Sequence, residues 1–233
     1  MASAQTYARI AGILLMISIV AGYIGEIYVP SNMVVSGDVG ATAKNILASE
    51  SRFRAGFAIY LMEALSDVGL ILLFYLLLRP VREDVALLTV LFGLVSMILF
   101  AVAQLFHFSA IVILKSDSLN AFTFAHRSGL AMLSLKTYGV ASSIFMVFYG
   151  VASFLRGCLI FRSGYLPKFL GALLTFAGLS FIVRNFVAVL APVYASDFFL
   201  LPMFVAGLSM AVWLLVKGVD VAKWRGAAGK ELI

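Results

Sequence analysis

Charge is what this chain has least of. Asp, Glu, Lys and Arg make up 12% of its 233 residues and hydrophobic residues 63%, against about 25% and 45–50% in soluble domains. So little charge cannot cover a globular surface, and the surplus apolar surface must face lipid. A single cysteine, Cys158, excludes an intramolecular disulfide and every multi-cysteine metal or iron–sulfur centre. The only histidines are His107 and His126. They cannot build a three-histidine metal site, and a bis-His haem would need both, so no metal site is expected. There is no His-Glu-x-x-His, no Gly-x-Ser-x-Gly, and no Walker or dinucleotide-binding glycine pattern, so no reaction and no cofactor is indicated. The net charge of +6 is spread over short loops. That pattern suits membrane orientation and argues against a nucleic-acid partner.

A membrane-spanning helix needs about 20 mostly apolar residues at 1.5 Å rise each. Runs of that length occur at 10–29, 53–78, 85–114, 138–161, 169–190 and 198–216. The first is longer than the roughly 7–15 residue core of a signal peptide and is expected to stay as a helix. The chain is therefore expected to be an all-α polytopic membrane bundle of six transmembrane helices, a single domain over 1–233. Short connections should make neighbouring helices antiparallel. With both termini on the cytoplasmic side of the inner membrane, that side holds Arg9, Arg79, Arg82, Arg156, Arg162, Lys168, Lys217, Lys223, Arg225 and Lys230. The other side holds Lys44, Arg52, Arg54, Lys115, Arg127 and Lys136. The excess of basic residues inside supports this orientation. Residues 30–52 predict a loop and then a short surface helix capped by Asp38, with Val39, Ala43, Ile46 and Leu47 near one face and Lys44, Asn45 and Glu50 on the polar side. Residues 119–135, interrupted by His126, Arg127 and Gly129, predict a re-entrant or interfacial helix before the fourth span, or a poor seventh span.

Ionisable side chains in hydrocarbon are costly and ask for a partner or a water-filled cavity. Glu63 and Asp67 are four residues apart on the second span, with Tyr60 a turn before Glu63, so the three share a helix face. Two carboxyls on adjacent turns repel when both are ionised, which asks for a proton or for Arg184 or Lys136 within reach. Glu26, Gln104, His107, Lys136, Tyr138, Arg184 and Asn185 fall in the outer halves of four other spans. Together these ten residues form the candidate ligand-binding set, an outward-facing polar pocket for a small polar or amphiphilic ligand or for protons. Purely structural ion pairing is the other reading of the same residues. Arg156, nearer the inner surface, is expected to snorkel to headgroups.

Several stretches resemble a family of bacterial integral membrane proteins known as domain of unknown function 4386. They are Val34-Val35-Ser36-Gly37-Asp38, Ala41-Thr42-Ala43-Lys44-Asn45-Ile46, Asp67-Val68, Leu78-Arg79-Pro80-Val81 and, most specifically, Arg162-Ser163-Gly164-Tyr165-Leu166-Pro167-Lys168 running into Leu170-Gly171. The resemblance covers nearly the whole chain and implies a polytopic helical fold without naming an activity. From the residues, the leading expectation is a ligand-binding or proton- or ion-coupled transport protein in contact with membrane lipids. The alternatives are an accessory subunit of a larger membrane complex and a membrane enzyme acting on a lipid or hydrophobic cofactor.

Overall fold

The computed structural model describes residues 3–229. Six helices are long and apolar enough to cross a membrane. The first begins as α1 (Ala4–Gly22), passes through a π-helical turn (Tyr23–Tyr28) and ends as the short α2 (Val29–Ser31). After a loop comes the surface helix α3 (Val39–Ala48), capped as expected by Asp38, whose carboxylate accepts from the Ala41 amide at 2.8 Å. The remaining spans are α4 (Glu50–Leu78), α5 (Glu83–Lys115), α6 (Phe124–Ser163), α7 (Lys168–Leu190) and α8 (Leu201–Val216), the last led in by a 3-10 turn at Asp197–Leu200. A short terminal helix, α9 (Val221–Ala228), comes last. Lys230, one of the basic residues assigned to the inner side, lies outside the described residues.

Two expectations need correction. Residues 119–135 do not form a separate re-entrant piece or a seventh span. From Phe124 onward they are the start of α6, which runs 40 residues without a break, about 60 Å. Thr123 caps it, accepting from the His126 amide at 3.3 Å. Gly129 interrupts nothing, because a single glycine costs a helix only about 1 kcal/mol. Glu50 does not belong to the polar side of α3. It opens α4 and pairs with Arg54 at 2.8 Å and Lys115 at 2.6 Å.

The spans form a ring. Each packs against its sequence neighbours, and α8 returns to α1. Lipid is as apolar as leucine, so packing between helices rests on close contact. The α6–α7 contact is the tightest. A Cβ on Gly178 would lie 2.5 Å from the Phe154 nitrogen and 2.6 Å from the Gly150 oxygen, and Gly157 and Gly171 meet in the same way a helical stretch further on.

Apolar layers close both ends of the ring's interior. At one end, the outer one in the expected orientation, Ala43 and Ile46 of α3 pack with Val29, Met33, Phe53, Ile111 and Leu114. At the opposite end, the inner one in the expected orientation, Phe74, Leu77 and Leu78 pack with Ala86, Leu159 and Ile160. The polar residues lie between these two layers.

Candidate functional site

Beneath the outer layer, α4, α5 and α6 each turn polar groups inward. Tyr60 is 1% exposed, His107 4% and Gln104 3%. The His107 ring stacks on Phe53 at 4.8 Å and meets the rings of Tyr60 and Tyr138 at 5.7 and 5.1 Å. The Tyr60 and Tyr138 hydroxyls lie 3.2 Å apart, and Tyr138 donates to Glu26. Glu26 reaches this cluster from the π-helical turn of the first span. A π turn carries one residue more than an α turn and so rotates the side chains beyond it to a new face. Gly25 gives the Tyr60 ring room, since a Cβ there would lie 2.9 Å from it.

Glu63 continues the column inward. Its carboxyl lies over Gly22, where a Cβ would be 3.2 Å from the nearer oxygen, and its other oxygen is buried without a hydrogen-bond partner. The charges acting on it are those of Glu26 and Asp67, and it forms no ion pair among the described residues. Asp67, 8% exposed, lies one helical turn further in. The Ser18 hydroxyl stands beside it and the Arg156 guanidinium acts on it electrostatically. Asp67 and Arg156 line one cavity of about 20 Å³ together with Tyr149 and Ala152. That volume holds a single water, which needs ~10–15 Å³. The Arg156 guanidinium also lies 4.6 Å over the Phe74 ring, a cation–π contact at the edge of the inner apolar layer.

The cations expected beside the carboxyls are elsewhere. Arg184 donates to Asp197 at 2.6 Å and to its neighbour Asn185 at 3.0 Å, tying the end of α7 to the turn before α8. Asn185, fully buried, is satisfied within α7 by donating to the Phe181 carbonyl at 2.8 Å. Lys136 is exposed and forms no ion pair among the described residues, as fits a side chain reaching for headgroups. Arg156 does not snorkel. It is 7% exposed and is the basic side chain that faces the carboxyls.

The structure thus brings together Glu26, Tyr60, Glu63, Asp67, His107 and Tyr138, buries Gln104 on α5 without a hydrogen-bond partner, and leaves out Lys136, Arg184 and Asn185. Sequence reasoning missed Arg156, Ser18 and Tyr149. A signal was present in α6, where Tyr138, Ser142, Tyr149 and Arg156 recur at spacings of four and seven and so share one face.

The arrangement is a column of three carboxyls and three phenols, closed by apolar side chains at each end and carrying one cation at its inner end. Hydrocarbon tolerates a carboxyl only as the neutral acid or beside a cation. A column of this kind can take up, hold and pass protons.

Comparison with known proteins names no reaction. A protein of Archaeoglobus fulgidus described as uncharacterized is 30% identical over 152 residues, 65% of this chain and 76% of the relative. No solved structure matches the chain. The family profile of the domain of unknown function DUF4386 matches residues 10–218. Matched over most of its length, a chain with six apolar helices is an integral membrane protein belonging to the DUF4386 family.

Proposed function

We propose that the column running from Tyr138 and Glu26 through Glu63 to Asp67 and Arg156 is a proton-binding relay, the coupling element of a proton-linked membrane transport protein. The observation that carries this reading is the Glu63 carboxyl, buried between two other carboxyls with one oxygen unpartnered and no cation paired to it. A purely structural network satisfies its members, because a half-satisfied buried charge is worse than none. Here unmet demand falls on Glu63, the group with the most acidic surroundings, and also on Gln104, His107 and Arg156. The Tyr60 and Tyr138 hydroxyls continue the chain of exchangeable protons toward the outer layer. The cavity at Asp67 extends it by one water's width toward Arg156. A space of that size suits water and protons better than an amphiphile. Apolar side chains close both ends, which corresponds to the occluded member of an alternating pair of states.

We place the protein in the inner membrane with both termini cytoplasmic. The support is the excess of Lys and Arg on that side.

The test is proton uptake into liposomes holding the purified protein and a trapped pH dye, with an imposed gradient. Wild type should exceed empty liposomes, and Glu63→Gln and Asp67→Asn should each lower the rate by about ten-fold or more, as for a lost proton-transfer group. Wild-type flux equal to that of empty liposomes, or flux unchanged in both variants, overturns the reading.

A further inference from the structure

At the end of the bundle where α6 meets α7, well away from the carboxyl column, a cavity of about 380 Å³ opens between the connecting loop and the junction of α8 with α9. Its walls are fixed by hydrogen bonds already made. Gly164 turns the loop with φ 71°, and the Tyr165 carbonyl accepts from the Asp220 amide at 3.1 Å. The Tyr165 hydroxyl and the Trp224 indole both donate to the Leu77 carbonyl, at 2.6 and 3.0 Å. Gln5 clamps the opposite wall, donating to the Lys217 carbonyl and accepting from the Val219 amide, each at 3.0 Å. The Trp213 indole donates to the Gly218 carbonyl at 3.1 Å. With the backbone groups of its walls engaged in this way, the cavity does not need a ligand to hold it open.

What remains free in it is positive charge. Lys217 and Lys223 line it, and Lys217 forms no ion pair among the described residues. Asp220 is the one acidic side chain in the lining, and it is committed to the first turn of α9. It accepts from the Lys223 amide at 3.1 Å and lies 3.3 Å from the Lys223 ammonium. The amide first and then the ammonium hold its carboxyl below the usual carboxylate range. An exposed pair of that kind is weak, so the Lys223 ammonium is available to a stronger anion. The cavity also sits at the boundary of the hydrocarbon, where α8 ends at Val216 and α7 begins at Lys168. The Trp213 ring and Leu166 supply an apolar wall beside the cations, and tryptophan favours the headgroup level of a bilayer.

We infer that this cavity holds the phosphate of an anionic glycerophospholipid headgroup, with Lys217 and Lys223 on the phosphate oxygens and Trp213 against the glycerol. Lysine serves phosphate as a movable point charge. Two lysines and a tryptophan ring in one lining distinguish the site from a merely basic surface, which attracts anionic lipid without holding one molecule.

Native mass spectrometry of the full chain in neutral detergent tests this by titration with phosphatidylglycerol, with phosphatidylcholine, and with phosphatidylglycerol in the presence of inorganic phosphate. One phosphatidylglycerol per chain should be retained, and Lys217→Gln with Lys223→Gln should weaken retention by about ten-fold or more, each lysine near an anionic surface being worth roughly five-fold. Lys168→Gln with Arg225→Gln, which removes charge from the same end outside the cavity, should change it less than about two-fold. An equal loss in the two pairs, or phosphatidylcholine held as tightly, overturns the site. Displacement by millimolar inorganic phosphate overturns the lipid assignment in favour of free phosphate. All variants change exposed side chains, and an unchanged melting temperature confirms that each is folded.

Discussion

Arg156→Leu would leave the Asp67 carboxyl in the bundle interior with only the Ser18 hydroxyl beside it. Asp67 and Arg156 act on each other without forming an ion pair, so removing one should cost less than the ~3–5 kcal/mol of a broken contact pair, whereas replacing both with apolar residues is often neutral. Unfolding in mixed micelles should therefore show Arg156→Leu destabilised and the double variant Arg156→Leu, Asp67→Leu restored to near wild type. Additive losses would mean that the two side chains do not act on each other. The carboxyl half of this pair was legible in the sequence, because Tyr60, Glu63 and Asp67 fall on one face of one helix whatever surrounds it. The cation was not. Depth along a span can be counted from its ends, which pointed to Lys136 and Arg184. Rotation about the helix axis decides which side chains meet, and a lipid-facing lysine has the same depth as an inward one. Arg156 read as a headgroup anchor because it lies in the inner half of α6, yet its side chain lies over Phe74 in the interior.

The glycines of α6 and α7 divide by what a methyl group would meet. On Gly178 it would strike the α6 backbone at Phe154 and Gly150, while on Gly139 nothing lies within 4 Å. Gly178→Ala should lower stability by about 1–3 kcal/mol, as for overpacked contacts. Gly139→Ala should be neutral or raise it by up to about 1 kcal/mol through helix propensity. Thermal unfolding of the two variants in detergent decides the matter, and equal shifts would remove the close α6–α7 contact as the cause. Five of the six spans were legible to within a few residues at each end except at the start of the first, because hydropathy changes abruptly where a helix leaves lipid. The outer part of α6 was not, since His126, Arg127 and Gly129 dilute its hydropathy without breaking its hydrogen bonds. The π turn was also hidden. No residue type announces an extra residue in a turn, nor that Gly22 and Gly25 beside it admit the Glu63 carboxyl and the Tyr60 ring.

Across the whole molecule, the ring closes where α8 meets α1, with Gln5 bridging to the start of the terminal segment. This puts both described ends of the chain at one end of the bundle. With Cys158 changed to Ser, single substitutions Lys44→Cys and Lys223→Cys test which side of the membrane that end faces. A membrane-impermeant maleimide added to intact cells should label the first and spare the second, and the reverse pattern would invert the proposed orientation. The spans are far from equal in length. α5 and α6 have 33 and 40 residues and the last span, Asp197–Val216, only 20, or about 50, 60 and 30 Å at 1.5 Å per residue. A hydrocarbon slab about 30 Å thick cannot match both flanks. Beside the last span the acyl chains can keep their ordinary length, and along α5 and α6 they must stretch or let the helices lean. Bilayer thickness therefore acts on this ring as a lever with unequal arms, and lengthening or shortening the surrounding lipid tails would tip one flank against the other.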